Sequence, residues 1–135
     1  MILICSFMKK KENNFNLTDR LRSFRFAFRG ILDLIKDEHN FRIHITVLLI
    51  VIVAGILLQI SVPEWLVIIL VSSLVLISES FNSSIEHLAD LLKPEEDERI
   101  RKVKDIAAAA VLISAVTAVI TGFIIFIPYL IKIFA

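Results

Sequence analysis

Four polar side chains, Glu79, Asn82, Glu86 and Asp90, follow directly on an uncharged run in the sequence. On a helix at about 100° per residue, the last three fall within about 60° of Glu79. We call these four residues the acidic stripe. Carboxylates at the edge of a bilayer are costly unless they pair, face water or bind a cation. Hard oxygen ligands on one face suit Mg²⁺, so the stripe is predicted to bind a divalent cation. The alternative is a structural polar seam with cationic partners.

Two other segments carry side chains that suit the same chemistry. Glu38, in KDEHNFRIH, could join the metal from a neighbouring helix, although a solvated interfacial charge is the commoner state of such a residue. Lys104, beside Asp105, could bind a phosphate that also binds the metal. With one carboxylate left to take a proton from an alcohol, the set indicates phosphoryl transfer. The chain has only 3 glycines, too few for a Gly-rich phosphate loop, so metal and side chains would have to hold the nucleotide.

The histidines suggest zinc only weakly. His39, His44 and His87 lack the HExxH spacing, and the single cysteine, Cys5, is far from them in the sequence. One cysteine also excludes an internal disulfide.

The composition is that of a small integral membrane protein. The 135 residues allow one domain at most, 57% of them are hydrophobic, and the mean hydropathy is +0.81. The 15 basic and 14 acidic residues leave a net charge of +1, which does not favour nucleic acid as a partner.

Three apolar segments are long enough to cross a bilayer, which takes roughly 20 residues. The predicted spans are about 41–60, 65–92 and 106–131, all within a single membrane domain, 17–135. Ser61–Glu64 (SVPE) is predicted to be a tight turn, with Pro63 where a helix begins. Lys93–Asp105 is predicted to be a polar connection.

An amphipathic surface helix is predicted over about 17–37, after a loosely ordered tail at 1–16. Apolar residues form a narrow stripe on it, with the cations about a quarter turn away. Such a helix lies in the membrane surface, near anionic headgroups. A helix packed on the spans, with snorkelling arginines, is the alternative.

The basic residues near the span ends predict the orientation. They flank the first span on its N-terminal side and lie in the second connection, whereas the short first turn has none. The N-terminus and the second loop are therefore expected to be cytoplasmic.

Three segments make the chain resemble the small prokaryotic diacylglycerol kinases, which include undecaprenol kinases. They are ESFNSSIEHLAD (Glu79–Asp90), KVKDIAAAAVL (Lys102–Leu112) and AFRGILDLIKDEHNFRIH (Ala27–His44). The resemblance implies an all-α integral membrane protein of the bacterial plasma membrane, with three spans and a surface helix. It also implies a homotrimer with shared active sites, and an ATP- and Mg²⁺-dependent lipid kinase.

The resemblance also implies roles on the acceptor side. Glu79 would be the general base that takes the proton of the lipid hydroxyl, with Asn82 beside it and Ala108 near the substrate. Ala108 stands where some members have serine, and His44 where some have glutamate. The acceptor is expected to be diacylglycerol, giving phosphatidic acid. Because the sequence around His44 is closer to the undecaprenol-kinase branch, undecaprenol is the alternative.

On the nucleotide side, the resemblance implies that Glu38 and Glu86 hold the metal with ATP. Lys104 would bind phosphate, while Asp90 and Asp105 would line the nucleotide site. Two functions of other classes remain open from the residues alone. These are a small oligomeric cation channel lined by the acidic stripe, and a membrane scaffold.

Overall fold

The structure, a computed structural model, describes residues 17–92 and 97–134, so the tail predicted at 1–16 lies outside the described residues. Over these ranges the chain forms four α-helices: α1 (Leu17–Asp37), α2 (His39–Leu58), α3 (Val62–Leu92) and α4 (Glu98–Phe134). Three of them, α2, α3 and α4, are long and apolar enough to cross a membrane. The predicted all-α class with three candidate spans is confirmed.

The turn between α2 and α3 is short because two local hydrogen-bonded arrangements form it. Gln59 adopts the left-handed conformation, with φ of 52°, and its N–H donates to the Ile56 carbonyl at 3.2 Å. The Ser61 N–H then donates to Glu64 Oε2 at 2.7 Å, which satisfies a backbone donor that the first turn of α3 leaves free. Since α3 already begins at Val62, the turn is shorter than the predicted Ser61–Glu64 segment.

The helix α3 packs against both α2 and α4, and its buried face changes character along its length. Near the α2–α3 turn this face is apolar and buries Ile68 and Val75. Ile68 packs with Ile60 and Ile125, and Trp65 and Tyr129 lie against this cluster. Further along α3, the same face buries polar side chains instead, and these are described below. Packing of the apolar half of this face of α3 therefore fixes the position of its polar half.

The predicted polar connection Lys93–Asp105 is wrong from Glu98 onward, because that part belongs to α4. Asp97 Oδ1 accepts a hydrogen bond from the Arg99 N–H at 2.9 Å and so caps the new helix. Arg101 donates to Asp105 at 2.7 Å one turn later. Arginine, lysine and glutamate are good helix formers, so a charged sequence is compatible with a helix that extends past the apolar span. Lys93–Glu96 lie outside the described residues.

Contacts divide the chain within α1 into two units, Met1–Leu32 and Asp33–Ala135. The described part of the first unit is helical. In the second unit, α1 ends at Asp37 and one extended residue, Glu38, precedes α2. The Arg42 guanidinium donates to the Lys36 carbonyl at 2.6 Å and to the Ile35 carbonyl at 3.3 Å. Arg42 thereby caps the last turn of α1 and holds the corner from which Glu38 projects.

Candidate functional site

The polar half of the buried face of α3 is formed by Glu79, Asn82 and Ser83, which are 2%, 5% and 1% exposed. Burying a carboxylate is costly unless other groups compensate it. Three titratable side chains lie close enough to Glu79 to act on it electrostatically: His44 from α2, Glu86 from α3 and Glu38 from the corner. The structure therefore brings two further elements to the stripe on α3.

Asn82 links two levels of the stripe. Its Nδ2 donates to Glu86 Oε1 at 2.9 Å, one turn further along α3. This bond leaves the amide oxygen, Asn82 Oδ1, buried without a hydrogen-bond partner, and the Ser83 hydroxyl is in the same state. Buried polar atoms normally have partners, so this level of α3 has hydrogen-bonding capacity that the folded chain does not use.

Glu38 reaches α3 from the corner between α1 and α2. Its Oε1 lies 2.9 Å from His87 Nε2, and the Glu38 side chain is 22% exposed whereas that of His87 is 69% exposed. His87 directly follows Glu86 on α3, so the contact holds Glu38 at the level of the second carboxylate of the stripe. His87 thus contacts the Glu38 carboxylate, while Arg42 holds the end of α1 that precedes Glu38.

Lys104 brings α4 to the same end of α3. Its Nζ lies 2.9 Å from Asp90 Oδ1, and Glu86 also acts on it electrostatically. Asp105 instead pairs with Arg101 on its own helix, at 2.7 Å. Ala108 is exposed, while its neighbour Ala107 is buried. Lys104 therefore extends the stripe, and Asp105 points its charge along α4.

A metal ion would find oxygen ligands here, but no complete set. Among the described residues, no three or more His, Cys, Asp or Glu side chains gather where they could hold a metal ion. Mg²⁺ commonly takes one or two carboxylates, keeps several waters and binds substrate phosphates as well. An Mg²⁺ ion that arrives with a bound phosphate would need fewer protein ligands than a resident metal centre.

The sequence patterns predict no role in this site for three of its residues: His44, His87 and Ser83. The histidines belong to it through contacts between elements, which no spacing along the chain reveals. Ser83 is different, because it lies within about 40° of Glu79 on the helical wheel. Its position could have indicated it, but its residue type does not distinguish it from the neighbouring serines.

Known proteins resemble this chain over most of its length. The sequence model of the family described as "Prokaryotic diacylglycerol kinase" matches residues 25–126, which include every site residue named above. The undecaprenol kinase of Bacillus subtilis is 34% identical over 123 residues, which cover 91% of this chain and 100% of that protein. The diacylglycerol kinase of Synechocystis is 37% identical over 113 residues, covering 83% of this chain and 65% of that protein. The diacylglycerol kinase of Escherichia coli is 29% identical over 110 residues, which cover 82% of this chain and 90% of that protein.

Proposed function

Because the chain belongs to the prokaryotic diacylglycerol kinase family, we propose that it transfers the γ-phosphate of ATP to the hydroxyl of a membrane lipid. One observation of the structure carries the proposal most directly. Glu79, 2% exposed, is a carboxylate on the buried face of a helix long and apolar enough to span a membrane, and other acidic groups surround it. This base would meet the hydroxyl of a lipid at the edge of the bilayer.

In the proposed reaction the acceptor alcohol attacks the γ-phosphorus. A bond forms between the alcohol oxygen and phosphorus, the bond from phosphorus to the β,γ-bridging oxygen breaks, and ADP leaves. Glu79 takes the proton that the alcohol loses. Asn82 lies beside this base and holds Glu86 in place through its amide nitrogen. Ala108 would line the acceptor side.

The nucleotide would bind at the end of the site where charge is exposed. Glu38 and Glu86 would hold Mg²⁺ together with ATP. The bound ion would neutralise the charge that develops on the transferring phosphoryl group. Lys104 would bind phosphate, and Asp90 and Asp105 would line the pocket. Lys104 is paired with Asp90 in the structure, so phosphate oxygens would replace a carboxylate as its partner.

The acceptor that we propose is diacylglycerol, with phosphatidic acid as the product. Undecaprenol is the second candidate, because the match to the undecaprenol kinase of Bacillus subtilis spans that whole protein. His44, which acts on Glu79 electrostatically, stands where some members have glutamate, so the surroundings of the base differ between branches.

The assembly and the placement of the chain are part of the proposal. We propose a single membrane domain over 17–135, a homotrimer in the bacterial plasma membrane, α1 as an amphipathic surface helix, and a cytoplasmic N-terminus and second loop. The described side chains of α1 support the surface helix, because Phe24 and Phe28, one turn apart on the predicted apolar face, are exposed. Sharing of sites between protomers would help to enclose both a lipid and a nucleotide.

Reconstituted protein tests the proposed function. Vesicles of zwitterionic lipid that contain the purified chain are given γ-labelled ATP and Mg²⁺, with diacylglycerol, undecaprenol or no added alcohol. We expect label in the lipid fraction only when an alcohol is present, more with diacylglycerol, and none when EDTA removes Mg²⁺. Cation flux through the vesicles without any transfer would contradict a kinase and favour the channel.

A further inference from the structure

Four serines on α3 surround the level of Glu79, and one of them behaves differently. The hydroxyls of Ser78, Ser80 and Ser84 each donate to the carbonyl four residues earlier, at 2.8, 2.7 and 2.8 Å. This is the usual way in which a serine inside a helix satisfies its hydroxyl. Ser83 does not do so, although the Glu79 carbonyl lies four residues before it.

The Ser83 hydroxyl is also the most deeply buried of these groups. The residue is 1% exposed, and its Oγ has no hydrogen-bond partner. In the part of the chain that the structure describes, Asn82 Oδ1 and Ser83 Oγ are the two buried side-chain atoms in this state, and they belong to adjacent residues. A buried polar atom without a partner is unfavourable, so the Ser83 hydroxyl points to a ligand that supplies a partner.

The position of Ser83 indicates which ligand this is. It lies one turn beyond Glu79 on the face that is apolar at Ile68 and Val75, and its burial separates it from the exposed pair of Asp90 and Lys104. A nucleotide phosphate would go to the cation, so the buried and uncharged level of Ser83 suits the hydroxyl of a lipid better than a phosphate. An alcohol oxygen can accept one hydrogen bond and keep a second lone pair for attack.

We propose that Ser83 is a positioning residue for the acceptor, whose hydroxyl donates a hydrogen bond to the oxygen of the lipid alcohol while the proton of that alcohol is directed to Glu79. This inference rests on the proposed kinase function and adds to it a residue for which neither the acidic stripe nor the family resemblance predicts a role.

The Ser83→Ala variant, compared with Ser84→Ala, tests the inference. Both changes remove one hydroxyl from the same helix, but Ser84 is exposed and donates to the Ser80 carbonyl. For Ser83→Ala we expect the KM for the lipid alcohol to rise about 3- to 10-fold, the loss typical of one hydrogen bond, with the KM for ATP unchanged. Ser84→Ala should leave both KM values unchanged.

Thermal unfolding separates this role from a structural one. Because the Ser83 hydroxyl has no partner in the folded chain, Ser83→Ala should not lower the Tm. A lower Tm would show that the hydroxyl is bonded within the protein and would overturn the inference. Ser83→Cys, which keeps the side-chain volume better than Ser83→Ala does, should also raise the KM for the lipid alcohol.

The kinetic outcomes also separate the inference from the function on which it rests. An active wild-type chain with an unchanged lipid KM in Ser83→Ala overturns the role of Ser83 alone. A rise in the KM for ATP instead of the lipid KM would assign the hydroxyl to phosphate and would also overturn it. A wild-type chain without any lipid phosphorylation contradicts the proposed function itself, and the inference with it.

Discussion

Gly55 of α2 lies against Trp65 of α3, and Gly55→Ala should weaken that contact. A Cβ atom at this position would lie 2.8 Å from Cη2 and 2.9 Å from Cζ2 of Trp65, and 3.1 Å from Cδ1 of Ile60. Carbon atoms pack best at roughly 3.5–4.0 Å, so the indole would have to move by about 0.7 Å or more. Trp65 packs against the apolar cluster and has little freedom to do so.

The expected magnitude follows from two opposing effects. Overpacking of this kind costs about 1–3 kcal/mol in the free energy of unfolding, while replacing glycine by alanine inside a helix gains about 0.5–1 kcal/mol. Gly122→Ala is a matched control, because a Cβ at Gly122 would meet nothing within 4 Å. Both variants share the helix gain, so the difference between them isolates the steric cost, about 1–3 kcal/mol.

Reversible unfolding in detergent, followed by circular dichroism, measures this difference. Gly55→Ala should unfold more easily than the wild-type chain, and Gly122→Ala should not. Adding Trp65→Phe, which removes the outer ring, should recover part of the loss in Gly55→Ala. A Gly55→Ala variant as stable as Gly122→Ala would refute the packing argument. Trp65 lies about 21 Å along α3 from Glu79, so activity per folded molecule should stay unchanged.

Three further predictions concern contacts between elements. Tyr129→Phe removes the hydrogen bond, 2.7 Å long, from α4 to Glu64 on α3, and should lower the free energy of unfolding by about 1 kcal/mol in the same unfolding assay. Lys104→Met should raise the KM for ATP by about 10-fold or more without changing the lipid KM, since the proposed phosphate ligand and the partner of Asp90 are lost. Arg42→Gln uncaps the last turn of α1 and should raise the Mg²⁺ concentration for half-maximal activity about 3-fold, with partial recovery in Arg42→Lys.

Each of these has a result that contradicts it. Unchanged unfolding in Tyr129→Phe would mean that the bond to Glu64 adds nothing to the packing of α3 on α4. A Lys104→Met variant that loses lipid affinity instead of ATP affinity would place the lysine on the acceptor side. An Arg42→Gln variant with an unaltered Mg²⁺ requirement would separate the corner from the metal.

The fold could be predicted from the sequence as far as apolar periodicity reaches. Long uncharged segments determine the helical spans, because a membrane leaves the backbone few alternatives. The start of α4 at Glu98 could not be placed, since a charged segment such as Glu98–Asp105 reads as a loop by hydropathy although its residues favour a helix. The local pairing of Arg101 with Asp105 becomes visible only in the structure.

The site could be predicted where its residues share one helix. Glu79, Asn82 and Glu86 recur at helical spacing, so the sequence predicts that they share one face of α3. The contact of Glu38 with His87 joins residues far apart in the chain, and no local pattern contains it. Whether a hydroxyl such as that of Ser83 bonds to its own helix or stays without a partner depends on tertiary packing.

The central claim is that Glu79 is the base of a lipid kinase, and phosphate transfer by Glu79→Gln tests it most directly. Glu64→Gln is the control, because Glu64 is another glutamate of α3, at the opposite end of that helix, and bonds to Ser61 and Tyr129. In vesicles with γ-labelled ATP, Mg²⁺ and the lipid alcohol, we predict that Glu79→Gln loses about 10²- to 10⁴-fold in rate with its helical content intact, whereas Glu64→Gln stays active. Transfer by Glu79→Gln at the wild-type rate would contradict the account.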